Sequence, residues 1–489
     1  MKNTNRFIEG EEPEKSRLTR RRMLQLMGMS AAGAAWLAAC GDPTATTAPA
    51  TTAPAATTAK AATTAASAAT TAAAAAGGTT AAASGGNISA GEVKASGKVV
   101  VGIGKDQTNT LKKVLDNFNA KNTGVTIEYQ ELSTNSGEVH DKLATSFAAK
   151  DSSIDLIAAD LPWLPEFGSA GFLLPLDKYV NPQFRGTFFE STLLGTTYKE
   201  KLYGIPWYLD GGVLYYRKDL LEKGGVTPPN TYDELATAAM KLQTDTTYGF
   251  VVNAFKNEGL SAIWMEILWG YGGEFMNTTT NEVLVNSPEG EAAVAWLVDG
   301  IYTKKFIPDK ILTLTRPQTY TVFNEGNCVF LRGWIDESSI AEGADSKIKG
   351  QWGVKTLYAA PGKKPSACLG NWSLAINANS KNPDAAWKVI EYMTGPEAQK
   401  INALGRGSPP ARKDVYADPE VAKSNPTYKI FDDVFAGAKP RPVTPAYPQI
   451  SSDVIQDLLT QALSKKITPK EAVQQMADKT KKILDKFKG

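Results

Sequence analysis

The sequence predicts an α/β protein of two lobes, set behind a long leader and spacer and closed by helix. Three observations carry this. The stretch from Gly97 to Gly489 is too long for one ordinary hydrophobic core. It opens as strand, helix, strand, helix, strand, the pattern of a sheet with helices on its faces. Its later part turns richer in helix, with capping signatures in front of amphipathic runs.

The leader comes first. Thr19-Arg20-Arg21-Arg22-Met23-Leu24-Gln25 opens an apolar, small-residue run that ends Leu37-Ala38-Ala39-Cys40. Paired arginines, an uninterrupted apolar stretch and a closing cysteine resemble a twin-arginine export signal joined to a lipobox, with lipid on Cys40. The plain alternative is a short transmembrane helix, and the run from Met23 to Ala39 stands at the short limit for one. Residues 41–96 are almost entirely Ala, Thr, Pro, Gly and Ser. Such a segment has too little bulky apolar surface to offset ordering entropy, so a disordered spacer is expected.

From residue 97 the elements follow in order. Lys98 to Ile103 reads as a strand, and Leu111, Val114, Leu115 and Phe118 make a helical stripe. Val125, Ile127 and Tyr129 alternate as in a strand; Val139, Leu143 and Phe147 mark a second helix. Ile154 to Ala158 is expected as the third strand. Thr231 with Glu234 forms a capping box. Ser287-Pro288 opens a helix with Val294, Leu297, Val298 and Ile301 on one face, and Asn382-Pro383 opens another with Ala386, Val389, Ile390 and Met393. Thr468-Pro469 with Glu471 begins the last helix.

Composition limits the chemistry. The chain has one histidine, His140, so a multi-histidine metal site is excluded. It has no Gly-x-Ser-x-Gly elbow and no Walker A loop, and Gly102-Ile103-Gly104 lacks the third glycine of a dinucleotide fingerprint. No cofactor is called for. The formal charge is +2, but residues 1–40 carry seven Lys/Arg and four Asp/Glu, which leaves the remainder at −1. With no basic stripe, nucleic acid is not an expected partner. Beyond Cys40, only Cys328 and Cys368 remain, either bonded to one another or two small buried residues.

Aromatic residues recur beside polar ones at likely strand ends: Asp160 with Trp163, Trp207-Tyr208 with Asp210, Arg332 with Trp334, and Asn371-Trp372. Flat rings suit the C–H faces of sugars, while carboxylates, amides and Arg suit their hydroxyls. Any one of these tryptophans alone reads as a core residue, but four such clusters together favour a polar-aromatic cleft beyond the strand ends.

Longer stretches carry a resemblance. They are Asp151 to Leu156, Asp160 to Trp163, Glu166-Phe167, Ala170 to Phe172, Pro175 to Asp177, Leu202 to Leu221, Leu268 to Glu274, Gly370 to Asn377 and Arg441 to Pro448. In this order the chain resembles the extracellular solute-binding proteins of bacterial ABC sugar importers, of the trehalose/maltose-binding type. The resemblance implies a periplasmic-binding-protein-like fold with a hinge, crossed near Asp210–Gly212, Gly370–Ile376 and Ala438–Arg441. It implies a first lobe of 97–210 plus 374–438 and a second of 211–373 plus 439–489. It also implies a monomer that is not an enzyme, holds a di- or oligosaccharide between the lobes and delivers it to a membrane permease.

Roles carry over by position. Asp160 matches an acid that accepts sugar hydroxyls. Tyr208 and Asp210 match a Tyr-x-Asp pair on one ring, Trp334 and Trp372 match aromatic platforms from the second lobe, and Arg441 matches an arginine near the third crossing. Asn371 replaces a usual glycine, adding a side chain at the cleft wall. Two early contacts have no clear match, with Gln107 and His140 nearby. Cys328 and Cys368 fall in one lobe under this division, which leaves a disulfide open. The alternatives are a receptor for another glycoside or a polyol phosphate, and an extracellular glycosidase using Asp160 and Asp210.

Overall fold

The computed structural model describes residues 93–487, apart from 107, 122, 123, 426 and 427. The leader, Cys40 and the spacer up to residue 92 lie outside the described residues, as does Gln107.

β1 (Gly97–Gly104) buries Val99, Val101 and Ile103 at alternate positions. α1 (Thr110–Ala120) packs its Leu111, Val114, Leu115 and Phe118 stripe into the same core. β2 (Val125–Leu132) runs parallel to β1 from Gly97↔Val125 to Gly104↔Leu132. α2 (Ser136–Ala148) follows, capped by Asn135 and burying Val139, Leu143 and Phe147. The third strand differs from expectation: β3 spans Leu156–Asp160. Its ladder with β1 starts at Leu156, and a strand from much later in the chain pairs with it as far as Asp160. The partners therefore set the bounds, two residues beyond the apolar run. α3 (Trp163–Ser169) and β4 (Ile205–Tyr208) complete this part.

Beyond β4 the chain builds a second sheet. β5 (Gly212–Arg217) is followed by α4 (Tyr232–Leu242), whose Thr231–Glu234 capping box is formed, and by β6 (Tyr248–Val251). α5 (Glu258–Gly270) is almost wholly buried, which its apolar sequence allows on every face. α6 (Pro288–Tyr302) is capped by Ser287, and α7 (Arg316–Asn324) by a Thr315–Gln318 box. β7 (Cys328–Trp334), α8 (Glu337–Ala341) and β8 (Trp352–Lys355) follow. The chain then returns to the first sheet as β9 (Trp372–Ile376), continuing into α9 (Pro383–Met393) and α10 (Pro396–Arg406). The last helix, α11 (Pro469–Lys486), has the expected Thr468–Glu471 box and buries Val473, Met476, Ala477 and Ile483.

The two sheets have orders β2-β1-β3-β9-β4 and β8-β5-β7-β6. Each is the centre of a lobe with its own core. The passages between them lie side by side. Gly211 bridges Leu369 and Cys368 bridges Lys439, while Gly370 N–H donates to Asp210 O at 2.9 Å and Leu369 N–H to Lys439 O at 2.9 Å. Gly212 has to be glycine here, because a Cβ would collide with Glu266 Oε1.

Two expectations are corrected. The division after residue 373 falls before Trp372 instead, because Trp372 is in register with Asp160 on β3 and with Tyr208 on β4. Trp372 is thus a first-lobe residue. Within 374–438, Ala385 to Ala398 join the first core, whereas Tyr428, Phe431 and Val434 pack with the second.

The disulfide is not formed: Cys328 and Cys368 are free and buried. Cys328 opens β7 opposite Tyr248. Cys368 lies on the interlobe passage, its N–H on Glu266, which Arg332 bonds four residues further along that strand. Burial raises both thiols, that of Cys368 to about 12, so neither is a ready nucleophile.

Candidate functional site

Between the lobes lies a cavity of about 160 Å³. This is below the roughly 300–1,000 Å³ of ordinary small-molecule sites, so a ligand of two rings needs the lobes to part. The first lobe lines it with Lys105, Asp106 and Thr108 from the β1–α1 turn, Ser133 and Thr134 after β2, and Trp207, Tyr208, Trp372 and Arg406. The second lobe adds Arg316, Pro317 and Tyr320 from α7, with Asp336 and Ile340 after β7. Strand ends and helix starts supply most of these groups, which is where an open α/β sheet places a ligand.

Cross-strand pairing sets the aromatic floor. Trp372 stands opposite Tyr208 in the β9–β4 ladder, and Trp163 meets the Trp372 ring edge-on at 5.5 Å. The Arg406 guanidinium sits 4.5 Å over the Tyr208 ring. Burial pushes the Tyr208 phenol up to about 12, so it stays a neutral hydrogen-bonding hydroxyl. On the opposite wall, Arg316 bonds Asp336 and its Nε donates to the Tyr320 hydroxyl at 3.2 Å. Trp334 N–H donates to that same hydroxyl at 3.0 Å.

The other residues singled out from the sequence are placed differently. Trp334 is half-buried at the end of β7, packed on the Arg332 guanidinium at 4.1 Å, and is not among the residues lining the cavity. Asp160 and Arg441 are spent on each other: Nη2 reaches Oδ1 at 2.6 Å and Nη1 reaches Oδ2 at 3.0 Å. Arg441 Nη1 also holds Glu258 Oε1 at 2.9 Å. Asn371 is buried, and its Oδ1 accepts the Asp210 N–H at 3.1 Å, so it braces the crossing and adds nothing to the cleft wall. Asp210 Oδ1 accepts the N–H groups of Gly211 at 2.9 Å and Ile335 at 3.1 Å. Neither Asp160 nor Asp210 lines the cavity, so they do not form the flanking carboxylate pair that glycoside hydrolysis requires. His140 points to Glu166, away from the cavity.

A family model described as bacterial extracellular solute-binding protein matches residues 104–400. The chain belongs to that family. This solute-binding protein is 32% identical over 393 residues to a probable ABC transporter-binding protein of Deinococcus radiodurans, covering 78% of this chain and 91% of the relative. Among solved structures it is similar to maltose-bound T. maritima MalE3, with TM-score 0.75, 35% identity, and coverage of 78% of this chain and 99% of that one. A solute-binding protein of Thermotoga lettingae bound with α-D-tagatose gives TM-score 0.73 and 29% identity over 80% of this chain and all of that one (100%). The protein is the substrate-binding receptor of an ABC importer. Among the described residues no helix is long and apolar enough to cross a membrane.

Sequence reasoning missed several groups of this receptor's cleft. Asp106 lies in the first strand-to-helix turn, beside Gln107, and its carboxylate accepts the N–H groups of Thr108 and Leu111. Arg316 directly follows Thr315 of a capping box, a signal that was readable. Asp336 and Arg406 carry no motif. The cleft therefore holds three cations, Lys105, Arg316 and Arg406, none of them singled out from the sequence.

Asp210 gives the receptor a pH signature. Burial raises its carboxyl and the Asp336 charge adds to this. Arg316 and the two N–H groups oppose it, leaving the pKa at about 7 against an ordinary 3.8. A folded-state value above the unfolded one means stability is fully present at low pH and lost as pH rises through about 7. Asp210→Asn keeps an oxygen for both N–H groups without the charge. Its urea midpoint should change less between about pH 5 and pH 8 than that of the parent. Parallel profiles would show that another group titrates there.

Proposed function

We propose that this receptor captures a di- or oligosaccharide of the maltose or trehalose kind in the interlobe cleft. The observation that carries the reading is the Trp372–Tyr208 floor set among Asp106, Arg316, Asp336 and Arg406, with groups from both lobes. Flat rings would take the sugar faces, and the charged and hydroxyl groups would take its hydroxyls. Maltose in the similar MalE3 supports the choice. Bonds to both lobes favour the closed form only by the ligand's difference in affinity for the two states. The closed form then presents both lobes to the permease, with no covalent step. We further infer that the receptor works as a monomer, tethered by lipid on Cys40 behind the spacer.

Calorimetric titration of the full chain with maltose, trehalose, maltotriose, glucose and mannitol 1-phosphate tests this. Saturable one-to-one binding of maltose, trehalose or maltotriose, with the sugar recovered intact, is expected. Binding of the phosphate alone would move the assignment to an anionic ligand held by Lys105, Arg316 and Arg406, and cleaved sugar would overturn the receptor mechanism.

A further inference from the structure

The chain's single histidine lies just behind the cleft wall. Val139 lines the cavity, and the next residue of α2, His140, turns its ring to α3. Its Nε2 lies 2.6 Å from Glu166 Oε2, and its Nδ1 3.3 Å from Asp141 Oδ1. The imidazole is stacked on Phe167 at 5.2 Å with an interplanar angle of 15°, and lies 5.6 Å from Trp163. Trp163 in turn abuts the cavity ring Trp372 at 5.5 Å. The contacts run continuously from Glu166 through His140 and Trp163 to the aromatic floor.

The helix that carries Trp163 and Glu166 needs such support. α3 has seven residues, begins after Pro162 and has no side-chain cap. Helices this short are not stable alone, so their placement depends on tertiary contacts. Here the packed rings and the His140–Glu166 bond supply them.

We propose that His140, through Glu166, is a positioning residue of the sugar site: it locks α3 against α2 and so sets Trp163, which fixes the Trp372 ring. The inference rests on the reading of Trp372 as a sugar-binding face. The charged groups acting on the imidazole are Asp141 on its own helix and Glu166 on α3, while Trp163 and Phe167 present only rings. Burial pulls the imidazolium pKa down, but the two carboxylates outweigh it and raise the pKa to about 9. A value raised above the ordinary 6.5 keeps the charged bond intact through neutral pH and lost as pH climbs through about 9.

Maltose affinity of the full chain is measured from pH 6 to pH 10 for the parent, Glu166→Gln and His140→Gln. The parent should weaken on passing about pH 9, and both variants should bind about fivefold to tenfold more weakly at pH 7, the low end of coupling between sites. Both profiles should lose most of the parent's step near pH 9. Parental affinity and an unchanged pH profile in both variants would overturn the inference while leaving the receptor reading intact. If the parent binds no maltose, that reading of the cleft fails first. The coupling is then read from the one imidazole resonance in the NMR spectrum: its titration midpoint moves in Trp372→Leu if the ring contacts transmit, and stays put if they do not.

Discussion

Arg441→Met is expected to lower stability by about 3–5 kcal/mol, read as an earlier urea midpoint, because it strips the counter-charge from the buried Asp160 and the half-buried Glu258. Asp160 comes from the end of β3 in the first lobe and Glu258 from the start of α5 in the second, and one guanidinium holds both. The arginine side chain is 3% exposed and those of its partners 7% and 16%, so water cannot replace it. Glu258 retains bonds from the Tyr447 hydroxyl, at 2.8 Å, and from Ser451. Among the described residues, the Asp160 carboxylate accepts side-chain bonds from the guanidinium alone. Adding Asp160→Asn to Arg441→Met should therefore recover a good part of the loss. The resemblance assigns these two residues to the ligand, and the same variants decide between the roles. Normal stability with abolished sugar binding would restore the ligand role and sink the structural one.

Trp372→Ala is expected to cost the site about 2 kcal/mol or more of binding free energy, roughly a thirtyfold rise in Kd. The ring is a cavity wall on one side and the abutment of Trp163 on the other, so truncation removes the sugar face and unseats its neighbour. Trp334→Ala is the matched comparison, because that ring does not line the cavity in this arrangement. Calorimetry with the best sugar of the panel reads both. Equal losses would mean that Trp334 swings into the cleft when the ligand binds; an unaffected Trp372→Ala would remove the aromatic floor from the proposed site.

Periodicity made the first lobe legible. The Leu111, Val114, Leu115, Phe118 stripe and the Val139, Leu143, Phe147 stripe are buried as read, since the 3.6-residue repeat leaves one apolar face to cover. The boxes at Thr231 and Thr468 form because every hydrogen bond in them is local. β3 was misplaced by two residues because its limits depend on β1 and β9, which lie far away in sequence. The pattern of rings at strand ends located Tyr208 and Trp372, but not the lobe to which Trp372 belongs.

Charged groups were the hard part. Asp160, Asp210 and Arg441 looked like free recognition groups, and each is tied into the protein by partners from remote segments. Arg316, Asp336 and Arg406 were not singled out from the sequence, yet they line the cleft. The sequence by itself determined the class of fold, the helix starts and the aromatic character of the site, because these follow from residue type at short spacing. Only the tertiary structure decided which charges are consumed in ion pairs and which face the cavity. A charge is committed by whatever opposite charge or N–H group lies within about 3 Å, and that neighbour is set by packing between segments hundreds of residues apart.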